Sequence, residues 1–375
     1  MSPADAHPGV ARSARLAAEL RSRELDALLV EAPVDVRYLS GFTGSNGLLI
    51  VRAGEPDQER DATHLFLTDF RYTAQSAAQL PSAFERETVA GELLDALAQR
   101  LGPGPGRVGF DDDALTIARH RRLLQRLPEG WEAVAAGGLV AGLRLVKDAG
   151  EIARISAACE LSEEALRGVL EDGLAGRSER DVAIDLELRM RRLGAEDASF
   201  PAIVAAGEHG ALPHAAPRAH AIPADVLVTI DWGALLDGYC SDCTRTYATG
   251  EGISERAREV YDLVLRAQLQ GLAAVRAGRS GREVDAVARE VIEQAGYGEQ
   301  FGHGLGHGVG LEIHEAPRLS RTAGDEPLRA GSVVTVEPGV YLPGELGVRI
   351  EDLLVVGEDG QEVLTSLPKE LTVIS

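Results

Sequence analysis

Two segments of this chain are typical of long β-hairpins whose apolar strands end on a carboxylate, and this pattern constrains the fold most. In the first, apolar residues alternate over 226–230 up to Asp231, and Leu-Asp-Gly at 236–238 supplies a turn before the return strand. A hairpin closing at this turn brings Asp231 and Asp242 to nearly opposed positions. Two ionised carboxylates this close repel each other, so the pKa of one rises sharply unless a cation compensates.

The second hairpin repeats the arrangement with glutamates. Residues 332–356 contain two strands joined by a Pro-Gly turn at 343–344, and a hairpin centred there sets Glu337 roughly opposite Glu351. An acidic residue in a strand usually faces water, but one that ends a strongly apolar strand is expected to be buried and to need compensation. Carboxylates from both hairpins offer the hard oxygen ligands that divalent cations bind. The pattern therefore indicates an internal duplication in architecture around a cation site.

A glycine-rich segment between the hairpins offers nitrogen ligands. Glycine occupies every even position from 302 to 310, and the odd positions include His303 and His307. An extended chain places both histidines on one face, whereas a helix with HExxH-like spacing would lose about 1 kcal/mol at each interleaved glycine. A flexible loop with incidental histidines is the alternative. However, six of the nine histidines lie between residues 209 and 314, which favours a site.

The length of 375 residues suits two domains, and the pattern changes near residue 143. Residues 1–142 alternate short apolar strands with helical segments, which predicts an α/β domain. Residues 143–375 combine longer amphipathic helices, with capping signals at Ser178 and Ser280, with the strands of the two hairpins. Neither domain contains a nucleotide-binding GxGxxG after a strand or a GxxxxGK[ST] motif.

Charge, hydropathy and cysteine content exclude several classes of protein. The formal net charge of −21 argues against nucleic acid or an anionic membrane as a partner. No apolar run approaches the roughly 20 residues of a membrane span, and the N-terminal segment lacks a signal-peptide core, so we expect a soluble cytoplasmic protein. Cys240 and Cys243 form a lone CxxC that cannot complete a four-ligand zinc site. We interpret them as small strand residues flanking Asp242 rather than as a redox pair.

These motifs together resemble those of a known enzyme family. DWGALLDGYCSDCTRT, FGHGLGHGVGLEIHEAP, EPGVY and GVRIED occur in this order and are similar to the pita-bread (M24) metallopeptidases, which include prolidase, aminopeptidase P and methionine aminopeptidase. The resemblance implies an α+β pita-bread (creatinase/aminopeptidase-like) catalytic domain with pseudo-twofold duplicated halves. RYLSGFTGSNG resembles the additional creatinase-like α/β domain of prolidases and aminopeptidases P, which methionine aminopeptidase lacks.

The resemblance also implies a cofactor and its ligands. In this family two divalent cations share five side chains, which correspond here to Asp231, Asp242, His307, Glu337 and Glu351. Manganese is the cation that the resemblance implies, and carboxylate-rich ligation suits Co²⁺, Fe²⁺ or Zn²⁺ as well. A hydroxide bridging the two cations is then expected to attack the scissile amide.

Further residues match active-site positions of the family. The resemblance implies that His214 and His314 are catalytic, with His314 steadying the tetrahedral intermediate. Glu337 is expected to carry the proton from the nucleophile to the leaving nitrogen. The resemblance implies substrate-side roles for His303, Tyr341 and Arg349.

The expected activity is hydrolysis of Xaa-Pro bonds in small peptides with proline at the second position. An Xaa-Pro dipeptidase (prolidase) is our first interpretation, and an aminopeptidase P acting on longer peptides is the alternative. A dipeptidase must bind a free C-terminal carboxylate, for which Arg37 and Arg318 are candidates. The resemblance also implies a homodimer. The complete ligand set disfavours a metal-free creatinase-like enzyme or a non-catalytic relative, and the absence of GxSxG disfavours a serine hydrolase.

Overall fold

A central β-sheet organises the first of the two units into which the chain divides, Met1–Arg144 and Leu145–Ser375. The computed structural model describes residues 7–54, 64–81 and 84–374. Within them, the sheet of the first unit has six strands in the order β4-β3-β2-β1-β5-β6. The strands are β1 (Ala27–Val30), β2 (Gly47–Arg52), β3 (His64–Thr68), β4 (Phe84–Thr88), β5 (Gly106–Phe110) and β6 (Trp131–Ala135). The helices are α1 (Pro8–Ser22), α2 (Pro33–Ser40), α3 (Thr73–Gln79), α4 (Leu97–Leu101), α5 (Ile117–Arg126) and α6 (Leu139–Arg144).

This sheet is mixed and its middle strands are apolar. β1 pairs antiparallel with β2 and parallel with β5, and β5 pairs parallel with β6. β1 and β3 are buried along their whole length, which is the pattern of strands covered on both faces. The α/β architecture expected for the N-terminal domain is thus confirmed.

Four long helices support the second unit. They are α7 (Ala149–Glu171), α8 (Glu179–Leu193), α9 (Glu255–Ala274) and α10 (Gly281–Gln294). The side chains of Asp148, Ser178, Ser254 and Ser280 accept hydrogen bonds from the free N–H groups that begin them. Ser280 and Glu283 form a reciprocal capping box, and Gly194 ends α8 in the left-handed conformation. These boundaries agree with the capping signals in the sequence.

The strands of the second unit comprise the two hairpins and their neighbours. They are β7 (Asp197–Ala198), β8 (Ile203–Ala206), β9 (Leu227–Trp232), β10 (Ala234–Leu236), β11 (Tyr239–Cys240), β12 (Cys243–Ala248), β13 (Gly306–Gly308), β14 (Glu315–Leu319), β15 (Val333–Val336), β16 (Gly339–Leu342), β17 (Leu346–Arg349), β18 (Asp352–Val356) and β19 (Gln361–Val363). One apolar cluster packs α7 and α8 against β8 and β9, and another packs α9 and α10 against β15–β18. Each half of the unit therefore combines a helix pair with a hairpin, and the expected duplicated architecture is confirmed.

Each long hairpin changes sheets halfway along its length. In the first, β9 and β12 lie in one sheet while β10 and β11 lie in another. In the second, β15 and β18 pair in the larger sheet while β16 and β17 form a separate two-stranded sheet. The breaks fall at 233 and 241–242 in the first hairpin, and at 337–338 and 350–351 in the second. The predicted ligands Asp242, Glu337 and Glu351 lie at these breaks, and Asp231 lies two residues before one.

The length and apolar character of the helices show whether any of them could cross a membrane. Across the part of the chain that the structure describes, no helix combines the length and the apolar character needed to cross a bilayer.

Candidate metal centre

The turn of the first hairpin fixes its register. Asp237 and Gly238 have φ angles of 49° and 79°, as a two-residue type I′ turn requires. Leu236 pairs with Tyr239 across this turn, and the more distant pairs of β9 and β12 follow the same register. The turn predicted at 236–238 therefore determines which side chains meet farther along the hairpin.

In that register the two aspartates lie diagonally across the hairpin. Asp231 pairs with Thr244, and Asp242 precedes Thr244 by two residues, so both carboxylates leave the same face. Gly233 is required beside them, because a Cβ atom there would lie 1.9 Å from the carbonyl oxygen of Ser241.

The second hairpin brings its glutamates into direct opposition. Val336 pairs with Asp352, so the same register places Glu337 across from Glu351. The backbone N–H of Glu351 donates to the carbonyl oxygen of Thr244 at 3.1 Å, which joins the second hairpin to the first. The four carboxylates thus come from two hairpins that are hydrogen-bonded to each other at the site.

His307, on β13, adds a nitrogen to this group. Its Nε2 atom lies 3.5 Å from Asp242 Oδ2 and 3.4 Å from Glu337 Oε1. Its Nδ1 atom lies 3.1 Å from the Gly308 carbonyl oxygen, which can only accept, so Nδ1 carries the proton and Nε2 presents a lone pair. Burial lowers the pKa of His307 to about 4, which keeps the ring neutral near pH 7. Ligand atoms of Asp242, His307 and Glu351 all lie within 4.8 Å of one another.

The burial and mutual proximity of the site's carboxylates favour the binding of positive charge. Burial and neighbouring carboxylates raise the pKa values of Asp242 and Glu351 well above their usual range. Burial also raises the pKa of Glu337 to about 8. The Oδ1 atom of Asp231 and the Oε1 atom of Glu351 are buried without a hydrogen-bond partner. Unpaired buried carboxylate oxygens are costly unless a cation binds them, so this donor set fits divalent cations.

Arg349 engages the other oxygens of the site. Its Nη2 atom donates to Asp231 Oδ2 at 2.6 Å, and its Nε atom donates to the Thr244 hydroxyl at 3.1 Å. The Thr244 hydroxyl in turn donates to Glu351 Oε2 at 2.7 Å. The guanidinium is buried, and its donors are directed at side chains of the site and at one backbone carbonyl oxygen. The role of Arg349 in substrate binding stays a prediction.

The substrate-side candidates His303 and Tyr341 contact each other. His303 Nε2 lies 3.0 Å from the Tyr341 hydroxyl, to which Arg349 Nη1 donates at 2.8 Å. Burial lowers the pKa of His303 to about 4, and burial raises that of Tyr341. A hydrogen-bonded chain therefore runs from Asp231 through Arg349 and Tyr341 to His303.

The two predicted catalytic histidines are more exposed. The ring of His314 meets that of His307 edge-on, with 4.4 Å between centroids. Burial and the nearby His214 lower the pKa of His314. His214 follows Pro213, whose carbonyl oxygen accepts a hydrogen bond from Arg349 at 3.2 Å. Both histidines are therefore exposed residues close to the proposed ligands or to Arg349.

The two arginine candidates for binding a substrate carboxylate lie in different units. Arg318 is exposed on β14. Its charge, after burial, helps to lower the pKa values of His307 and His314, so it lies within electrostatic range of the site. Arg37 belongs to α2 of the N-terminal unit, and its role remains a prediction.

Sequence reasoning overlooked two hydroxyl groups beside the ligands. Thr335 Oγ1 accepts a hydrogen bond from the His307 backbone N–H at 3.1 Å and lies 3.3 Å from Glu337 Oε1. Thr244 stands in a comparable position next to Glu351. Strand alternation could have indicated Thr335, which is two residues from Glu337, whereas the partner of Thr244 lies 107 residues away in the chain.

A buried ion pair supports the backbone of Glu351. Arg245 Nη2 lies 2.8 Å from Asp352 Oδ1, and Arg245 also donates to the Glu351 carbonyl oxygen. Lys369 Nζ lies 2.6 Å from the other oxygen of Asp352. The side chains of Arg245 and Asp352 are each 1% exposed, so the charge of each requires the other.

A second buried pair lies beside His314. Lys147 Nζ is 3.0 Å from Glu315 Oε2, with side chains 1% and 6% exposed. The other Glu315 oxygen accepts from the Glu312 backbone N–H at 3.1 Å. The pair therefore organises the loop that carries His314.

The cysteines behave as packing residues. Cys159, Cys240 and Cys243 are free and buried. Burial raises the thiol pKa of Cys240 to about 11 and those of the other two well above the usual range. Thiols that hold their protons this firmly are poor nucleophiles and metal ligands. This supports the interpretation of Cys240 and Cys243 as small residues that flank Asp242.

Comparison with known proteins finds a matching family model in each of the two units. Residues 12–146 match the model of the creatinase/prolidase N-terminal domain, and residues 153–358 match the model of metallopeptidase family M24. An Xaa-Pro dipeptidase of Pyrococcus furiosus is 34% identical over 369 residues, which cover 96% of this chain and 99% of that protein.

Solved structures show similar likenesses. An Xaa-Pro dipeptidase from Bacillus anthracis has a TM-score of 0.90 and 38% identity, covering 97% of this chain and 99% of its own. An X-Pro aminopeptidase from Thermotoga maritima has a TM-score of 0.87 and 36% identity, covering 97% of this chain and 100% of its own. These similarities extend over both units of the chain.

Proposed function

Because the chain belongs to metallopeptidase family M24, we propose that it is an Xaa-Pro dipeptidase that hydrolyses the amide bond before proline. The observation that carries this proposal is the convergence of Asp242, His307 and Glu351 within 4.8 Å, beside buried carboxylate oxygens without partners. The proposed ligands are Asp231, Asp242, His307, Glu337 and Glu351. The divalent cations held there would lower the pKa of a water molecule and polarise the scissile carbonyl.

The protein's own groups would then position the substrate and move protons. Glu337 is our candidate to accept the proton of the attacking water and to pass it to the leaving nitrogen. His314, whose ring meets His307, would donate a hydrogen bond to the oxyanion of the tetrahedral intermediate, assisted by His214. His303 and Tyr341, linked at 3.0 Å, would line the substrate side.

The dipeptide preference needs a cation for the free carboxylate of the substrate. We propose Arg318, since it is exposed and its charge reaches His307 and His314. The alternative is an aminopeptidase P, which leaves this end open for a longer chain. The likeness to the Thermotoga maritima aminopeptidase favours keeping that alternative.

The family resemblance further leads us to propose Mn²⁺ as the working cation and a homodimer as the assembly. Metal analysis of the purified protein and light scattering on the full chain test these two points.

The activity is tested with metal-stripped protein, with and without added Mn²⁺, on Ala-Pro, Ala-Pro-Ala and Ala-Ala. We expect Mn²⁺-dependent cleavage of Ala-Pro alone. Preferential cleavage of Ala-Pro-Ala would make the protein an aminopeptidase P. Activity that survives prolonged chelation would favour a creatinase-like reaction, and no cleavage of any of these peptides would overturn the proline-peptidase proposal.

A further inference from the structure

Two buried threonines share the same hydrogen-bonding arrangement. Thr244 accepts a hydrogen bond from Arg349 Nε at 3.1 Å, and Thr335 accepts one from the His307 backbone N–H at 3.1 Å. Neither donor can accept, so each threonine must turn its single hydroxyl proton elsewhere. The Thr244 hydroxyl donates to Glu351 Oε2, with 2.7 Å between the oxygens. The Thr335 hydroxyl donates to Glu337 Oε1, with 3.3 Å between the oxygens.

The fixed direction of these bonds has a consequence for the carboxylates. With Oε2 of Glu351 held by Thr244, the oxygen left buried and unpaired is Oε1. Asp231 is held in the same way, since Arg349 occupies Oδ2 and leaves Oδ1 unpaired. In Glu351 and in Asp231 one carboxylate oxygen is therefore fixed by a hydrogen bond, and the other is left for a cation.

The threonines also connect the elements that supply the ligands. Thr244 lies on the first hairpin but serves Glu351 of the second, while Thr335 joins Glu337 to the strand of His307. Both hydroxyls are fully buried, so water cannot replace the hydrogen bonds that they make.

We propose that Thr244 and Thr335 are positioning residues that orient the Glu351 and Glu337 carboxylates towards the cations and thereby set cation affinity. This inference rests on the proposed cation site. Groups that orient metal ligands in this way typically change metal affinity by about 10–100-fold when they are removed.

The chain provides a position-matched control. Thr229 precedes Asp231 by two residues, as Thr335 precedes Glu337, and it is likewise buried. Its hydroxyl contacts that of Thr246 at 3.1 Å and the Gly347 carbonyl oxygen at 3.2 Å, rather than a ligand carboxylate. Thr229→Val therefore removes a buried hydroxyl from the same environment without freeing a proposed ligand.

The test is titration of the metal-stripped full chain with Mn²⁺, following the free ion by electron paramagnetic resonance. Thr244→Val and Thr335→Val should each weaken Mn²⁺ binding about 10–100-fold, while Thr229→Val should stay within about threefold of the unaltered protein. Thr244→Ser and Thr335→Ser should recover most of the loss because they restore the hydroxyl. If the threonines served only to stabilise the fold, the serine and valine variants would bind Mn²⁺ equally well whenever their thermal stabilities were equal. Higher Mn²⁺ affinity in the serine variants at equal thermal stability therefore indicates a positioning role.

The possible failures are distinguishable. Unchanged Mn²⁺ affinity in both valine variants, or equal weakening in Thr229→Val, would overturn this inference while leaving the proposed function standing. Failure of the unaltered chain to bind Mn²⁺ would overturn both. If Thr244→Val does not fold, the Thr335→Val and Thr335→Ser pair decides the matter by the same criteria.

Discussion

A backbone carbonyl determines which atom of His307 can bind a cation. The Gly308 oxygen holds the Nδ1 proton, so Nε2 faces Asp242 and Glu337 with its lone pair. The glycines on either side of His307 allow the neighbouring strands to approach its backbone closely. A Cβ atom on Gly306 or Gly308 would lie 2.0 Å or 2.2 Å from a carbonyl oxygen of a neighbouring strand segment. The alternating glycines in the sequence thus allow close strand packing around one histidine.

His314 provides a prediction that separates catalysis from metal binding. His314→Ala should lower kcat by about 10²–10³-fold through loss of an oxyanion donor, with Mn²⁺ content unchanged. Steady-state kinetics on Ala-Pro and metal analysis of the same sample measure both quantities. Asp242→Ala is the contrasting variant, since it should lose bound metal. A His314→Ala protein that loses its metal would instead make His314 part of the ligand set.

Arg318 provides a prediction about substrate length. Arg318→Ala should raise KM for Ala-Pro by about tenfold, because a charge-assisted hydrogen bond to the substrate carboxylate is lost at an exposed position. KM for the amide Ala-Pro-NH₂, which lacks that carboxylate, should change little. Arg321→Ala, which removes another exposed charge from the same segment, is the control. Equal effects on both substrates would argue against carboxylate recognition by Arg318.

At the scale of secondary-structure elements, features set by neighbouring residues could be predicted from the sequence, whereas features set by contacts between distant residues could not. Turn chemistry at 236–238 and 343–344 located the turns of both hairpins, and serine caps located the helix starts, because these signals lie within a few residues. β4 and β6 are edge strands with mostly exposed or half-buried residues, so no apolar run in the sequence indicates them. The bond from Thr244 to Glu351 joins residues 107 apart, so no local pattern could reveal it.

Lys147 and Glu315 allow a prediction about how separate elements are held together. Lys147→Met should lower the free energy of unfolding of the C-terminal unit by about 3–5 kcal/mol, because it removes the positive charge that lies 3.0 Å from the buried Glu315 carboxylate. Urea unfolding followed by Trp232 fluorescence in a Trp131→Phe background measures it. The double variant Lys147→Met with Glu315→Gln should recover part of the loss. A change below about 1 kcal/mol would show that Glu315 is compensated by other groups.

At the scale of the whole molecule, each unit has its own apolar core and its own tryptophan. Trp131 packs against the core of the N-terminal unit, and Trp232 is fully buried in the C-terminal unit. Single-tryptophan variants can therefore follow the unfolding of each unit separately, which matters because two-unit chains need not unfold in one step.

His64 predicts the pH dependence of the N-terminal unit. Burial, with a contribution from Arg52, lowers its pKa from 6.5 to about 4, so between these pH values the unfolded chain binds a proton that the folded unit does not. Stability should therefore fall as the pH drops from about 6.5 to about 4, by roughly 2–3 kcal/mol from this group. Urea unfolding of a Trp232→Phe protein at several pH values measures the slope. His64→Gln should flatten it, and parallel curves for the two proteins would refute the assignment.

The scarcity of lysine gives the C-terminal unit a chemical reporter. The chain has only Lys147 and Lys369, and the side chain of Lys147 is 1% exposed in its pair with Glu315. Acylating reagents react with neutral amines and leave guanidinium groups unmodified. The Lys147 amine must therefore leave its ion pair with Glu315 before it can lose its proton and react. A brief pulse of an N-hydroxysuccinimide ester should therefore mark position 147 only in molecules whose loop around Glu315 has opened. Mass spectrometry of that one peptide would then time the opening without any engineered label.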